Sequence, residues 1–76
     1  MRRDRIQLIN FVREHRKRLG MTQKDLAQAV GVSRQSIISI ERGKYVPSLP
    51  LALQLAKLFE CHVDQLFRRE EDDSNG

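Results

Sequence analysis

Between Gln23 and Arg42 the sequence sets two short helical segments around the tripeptide Gly31-Val32-Ser33, and this constrains the fold more than any other feature. Thr22 precedes the first segment with Asp25 three residues on, a capping-box-like start with Asp in place of Glu or Gln. Leu26, Ala27 and Val30 give that segment one apolar face, and Gly31 stops it. Ser33 is the natural cap of the second segment, a helix over 34–42 with Ile37 and Ile40 on its buried side and Gly43 at its end. Leu26, Val30, Val32, Ile37 and Ile40 face inward and lock the two helices at a steep angle. Ala27 must be small where they cross, and Gly31 suits a turn residue at positive φ. Each requirement is weak alone; met together they form a strong signal.

The rest of the chain reads as further short helices. Phe11 to Leu19 is rich in helix formers and closed by Gly20. Upstream, Arg5 to Asn10 is readable in two ways. Ile6 and Ile9 continue a helical face, whereas Ile6 and Leu8 alternate like a strand that would pair with Phe67-Arg68-Arg69-Glu70. After the connector Lys44-Tyr45-Val46-Pro47, Ser48 caps a fourth helix that tolerates Pro50 in its first turn. Leu49, Leu53, Leu55, Ala56, Leu58 and Phe59 make this the most apolar helix. His62 opens a short last helix carrying Val63, Leu66 and Phe67. The expected organisation is a basic N-terminal extension over 1–10, one folded domain over 11–67 and an acidic tail over 68–76. A chain of 76 residues holds one small core. Sharing stability with a second copy is therefore expected, with Leu66 and Phe67 as the interface.

Charge distribution says more than the net +4. Residues 1–20 hold seven Arg and Lys against Asp4 and Glu14, while from Glu60 onward acidic residues outnumber basic ones. A basic body with an acidic tail suits a polyanionic partner; a mixed-charge soluble surface is the blander alternative. Cys61 cannot pair within the chain, which fits a reduced, cytoplasmic setting. No apolar run is long enough to span a bilayer, so no membrane is expected. His15 and His62 lie on different elements with no ligand at metal spacing, and the serines lack the context of a nucleophile elbow. Neither an enzyme, a metal site nor a cofactor is indicated.

The stretches Gly20-Met21-Thr22-Gln23, Leu26-Ala27, Gly31-Val32-Ser33-Arg34-Gln35-Ser36-Ile37 and Ile40-Glu41-Arg42-Gly43-Lys44 resemble the lambda-repressor-like (Cro/XRE) helix-turn-helix family. Pro47-Ser48-Leu49, Leu55-Ala56 and Asp64-Gln65-Leu66-Phe67 continue the likeness, which covers about residues 11–67. The resemblance implies an all-α, five-helix domain, to which short members add a small terminal β-ribbon. It also implies a cytoplasmic transcriptional regulator, a repressor by expectation, that binds double-stranded DNA as a homodimer on an inverted repeat. The third helix would enter the major groove. The alternative is an antitoxin-type DNA-binding protein that also binds a partner protein.

The same resemblance distributes roles. Gln23 contacts phosphate from the N-terminus of the second helix, where free N–H groups and the helix dipole favour an anion. On the third helix the core takes Ile37 and Ile40, leaving Arg34, Gln35, Ile38, Ser39 and Arg42 opposite. Arg34, Gln35, Ile38 and Ser39 are the base-reading candidates: Arg suits guanine, Gln suits adenine and Ile38 suits a thymine methyl. Arg34 could equally grip phosphate, and Ile38 could be a scattered exposed apolar residue. Arg42, Lys44 and Tyr45 join Gln23 as phosphate contacts. Arg16 and Glu41 match a family pair that forms an internal salt bridge. Two departures stand out: His15 replaces an apolar residue, which puts first-helix packing in doubt, and Ser48 stands where some members carry a minor-groove arginine. Cys61 occupies a site the family fills with an apolar side chain.

Overall fold

The computed structural model describes residues 8–70. Strand β1 (Leu8–Asn10) is followed by α1 (Val12–Arg18), α2 (Gln23–Val30), α3 (Arg34–Glu41), α4 (Leu49–Leu58), α5 (Val63–Leu66) and β2 (Phe67–Arg69). The lead-in over 1–7, with residues 5–7 of the expected strand, and the acidic residues 71–76 lie outside the described residues.

Local chemistry sets the boundaries. Thr22 and Asp25 complete a reciprocal capping box, each backbone N–H bonded to the other's side chain at 2.9 Å. The Thr22 N–H also holds the Asp25 carboxyl below its ordinary pKa. The hydroxyls of Ser33 and Ser48 accept the Ser36 and Leu51 N–H groups at 3.1 and 3.3 Å. Gly31 sits at φ +73°, where a side chain would strain the turn between α2 and α3. For α5 the bond comes from the far side of the box: Gln65 Oε1 accepts the His62 N–H at 2.8 Å.

The two readings of the chain's start resolve in favour of the strand over 8–10. β1 pairs antiparallel with β2, Leu8 opposite Arg69, Ile9 opposite Arg68 and Asn10 opposite Phe67. Asn10 ends the strand because its side chain serves two backbones. Oδ1 accepts the Val12 N–H at 3.2 Å, and Nδ2 donates to the Ile40 carbonyl at 3.0 Å, tying β1 to the end of α3. The Phe11 N–H then bonds the Leu66 carbonyl, and the Arg68 guanidinium lies 4.7 Å from the Phe11 ring centre.

One core, built from Val12, Leu26, Val30, Ile37, Ile40, Leu55, Phe59 and Leu66, holds the helices together. One expectation changes here. Leu66 is 0% exposed within a single chain, so it is a core residue and not an interface residue. On α4 only one side is buried: Leu51, Ala52, Leu55 and Ala56 face the core, whereas Leu49 and Leu53 are 66% and 52% exposed. Leu49 and Leu53, four residues apart, share one apolar stripe of α4, and Val46, in the connector after α3, is 61% exposed.

His15 does not loosen α1. Its ring stacks on Phe59, centroids 5.3 Å apart and planes 26° apart, and Arg18 Nη2 donates to its Nδ1 at 3.0 Å. Burial first, then the Arg18 charge, lower the His15 pKa, while Glu14 opposes them. The unfolded chain therefore takes up the proton at higher pH than the folded one. Stability should be fully present above about pH 6.5 and fall as the pH drops through the lowered value. Urea midpoints measured between neutral pH and pH 5 should show that fall, and His15→Leu should flatten it. Cys61 packs against the core's edge, and desolvation raises its thiol pKa, which suits an inert side chain.

Candidate nucleic-acid interface

Burial of Ile37 and Ile40 fixes the rotation of α3 and turns its other side outward. Arg34, Gln35 and Arg42 are exposed, and Ile38 and Ser39 are half-buried along the same helix. Ile38 lines a shallow groove of about 420 Å³ with Arg13, Gln23, Arg34, Glu41 and Arg42, and it is the one apolar side chain among the described residues that line it. An apolar contact set among cations suits a thymine methyl beside phosphates.

Glu41, which lines that groove, forms with Arg16 the ion pair that the family resemblance implies. Arg16 Nε lies 2.7 Å from Glu41 Oε2 and Nη2 lies 3.2 Å from Oε1, a two-pronged grip with both side chains nearly buried. Arg16 Nη1 also donates to the Met21 carbonyl at 2.8 Å, so one guanidinium braces α1, α3 and the turn before α2. A further link was not legible in the sequence. Gln23 Nε2 donates to Glu41 Oε1 at 3.1 Å, and Gln23 Oε1 accepts from Arg34 Nη2 at 3.5 Å. Arg16, Glu41, Gln23 and Arg34 thus form one chain of contacts from the interior to the first residue of α3. Gln23 is held at the N-terminus of α2 by a buried charge.

Lys44 and Tyr45 lie apart from this groove, just past α3. The Lys44 N–H bonds the Ser39 carbonyl at 2.9 Å, and Tyr45, 44% exposed, walls a small cavity of about 60 Å³ with Leu8, Asn10, Pro47 and Phe67. The structure also gathers cations that the sequence reading left unassigned. Arg13, Lys17 and Lys24 line an open groove with Gln23 and Arg34. Their signal was the spacing of Arg13 and Lys17, four apart on one helix. Among the described residues no group of three or more His, Cys, Asp or Glu side chains is placed to hold a metal ion. No described helix is long and apolar enough to cross a membrane.

The sequence profile of the helix-turn-helix family matches residues 12–66, most of the chain and both helices of the capped pair. This chain belongs to the Cro/XRE-type helix-turn-helix family. Members are DNA-binding transcriptional regulators and not enzymes, and the chain is a regulator of this type. It is 52% identical over 63 residues to a helix-turn-helix-type transcriptional regulator of Methanothermobacter thermautotrophicus, covering 82% of this chain and 91% of the other. A similar regulator from Methanocaldococcus jannaschii is 47% identical over 64 residues, 84% of this chain and 97% of its own. Among solved structures, the restriction-modification controller protein C.AhdI from Aeromonas hydrophila superposes with a TM-score of 0.65 at 31% identity. The match spans 71% of this chain and 82% of that one. In this helix-turn-helix domain α2 and α3 are the family's paired helices, and α3 carries the outward face described above.

Proposed function

We propose that the protein is a sequence-specific repressor that binds an inverted-repeat site in double-stranded DNA as a twofold homodimer, with α3 in the major groove of each half-site. The observation that carries this reading is the outer face of α3. Arg34, Gln35, Ile38 and Ser39 project from a helix braced from behind by a buried ion pair and rimmed by cations. A rigid helix with guanidinium, amide, methyl and hydroxyl groups at successive turns has the chemistry to read base edges. Gln23, Arg42, Lys44 and Tyr45 lie at helix ends or in the loop beside it, where they would meet phosphates.

Two copies are needed because one such module buries little DNA surface. The exposed stripe of Leu49 and Leu53 on α4, with Val46 exposed in the connector before it, supports the dimer, since gathered apolar side chains in water mark contact surfaces. Repression is the sign that a domain of this build favours, since a bound dimer excludes other proteins from the DNA it covers.

The test is a paired titration on a duplex selected from a randomised library and on its scrambled counterpart, at several salt concentrations. Gln35→Ala should lose roughly 1–3 kcal/mol on the selected duplex and relax preference at one base pair per half-site. Lys44→Ala should weaken both duplexes alike and flatten the salt dependence by about one unit of slope per half-site. Equal loss on both duplexes for Gln35→Ala would mean that α3 does not read bases.

A further inference from the structure

We infer that Arg13, Lys17 and Lys24 form a phosphate track on α1 and α2 that holds the DNA backbone outside the segment read by α3. The inference rests on the dimeric DNA-binding reading and adds a surface to it. These three side chains are exposed and line an open groove of about 410 Å³ together with Thr22, Gln23 and Arg34. Among the described residues no carboxylate lines it. In the adjoining groove along α3 the sole carboxylate among the described residues is Glu41, already gripped by Arg16 and Gln23. Asp25, next to Lys24, is tied to the Thr22 N–H. Among the described residues the positive charge of the track is thus left for an outside anion.

Placement on α1 points the same way. Arg13 and Lys17 stand four residues apart on one stripe, where like charges repel. Glu14 and Arg18 are turned to a different groove, with Phe11, His15, Gln65 and Arg68. Arg16 is turned inward. A helix that only needed solubility would gain from mixing Glu14 with Arg13 and Lys17; here Glu14 shares its groove with Arg18 and Arg68 and leaves those two cations on the other side. Arg13 also borders the groove beside Ile38 and Arg42, so the track is continuous with the face of α3.

Lys17 and Lys24 share a groove with Arg34, the first residue of α3, whereas the exposed apolar strip of Leu49 and Leu53 belongs to α4, which follows the last residue of α3 in the chain. A dyad through that strip sets the two lysines away from the centre of the complex, over the outer flanks of the site. Lysine suits this place because a mobile point charge follows a phosphate without demanding a fixed geometry.

The experiment uses the full chain and the triple variant R13Q/K17Q/K24Q on three duplexes: the library-selected site with long flanks, the same site trimmed to the outer edges of its half-sites, and a scrambled sequence. Circular dichroism should match wild type, since all three residues are exposed. The variant should lose about 2–3 units of log–log salt slope per half-site while keeping its preference for the selected sequence. Trimming should weaken wild type and leave the variant unchanged. A variant with wild-type slope and wild-type sensitivity to trimming overturns the track while sequence-specific binding stands. If wild type prefers no sequence but the variant still loses slope, the track stands as a sequence-blind polyanion surface and the operator reading falls.

Discussion

Arg16→Met should destabilise the domain by about 3–5 kcal/mol, a large fraction of the roughly 0.05–0.15 kcal/mol per residue that holds a small protein folded. The loss does not come from the ion pair's net worth, which is small once desolvation is counted. It comes from what is left behind: the Glu41 carboxylate, its side chain 5% exposed, with only the Gln23 amide as partner, and the Met21 carbonyl without its guanidinium donor. Removing the second charge should therefore rescue the first. Arg16→Met with Glu41→Leu should regain much of the stability in urea titrations, short of wild type because Met21 and Gln23 still lack their partners. Simple addition of the two single losses would show that the side chains do not interact.

The second large effect is expected at Leu53. Leu53→Asp places a charge on the apolar strip of α4 without touching the core. It should give a folded monomer by light scattering and weaken binding to an inverted repeat by about 10²–10⁴-fold, the advantage of linking two half-site contacts. Leu66→Asp is the contrast. That side chain is fully enclosed in one chain, so the carboxylate would have no partner and the domain should unfold. A wild-type protein that stays monomeric while binding the inverted repeat tightly would overturn the dimer.

The difference between Leu53 and Leu66 shows what the sequence can and cannot tell. Helix starts were readable because Thr22, Ser33 and Ser48 act within three residues of themselves, and Gly31 marks its turn by the same local logic. The Arg16–Glu41 pair, 25 residues apart, came only through family likeness. Which leucine faces out was not readable. α4 is apolar on several sides, and its rotation is set by which side packs against α2 and α5. The strand over 8–10 was undecided for a similar reason: three residues carry too little periodicity, and the partner strand lies at the far end of the chain. Asn10 held a usable hint, since its short amide can close a strand and open a helix in one residue. The groove of Arg13, Lys17 and Lys24 was invisible because α1 and α2 converge there only in three dimensions.

The pairing of Leu8 with Arg69 gives the domain a portable form. Directly opposed residues of an antiparallel pair stand about 4.5–5.5 Å apart, so the polypeptide enters and leaves this unit through one narrow doorway. Such a unit can be spliced into a surface loop of a larger host without prising the host's loop ends apart, and anything attached at either end hangs from the same corner.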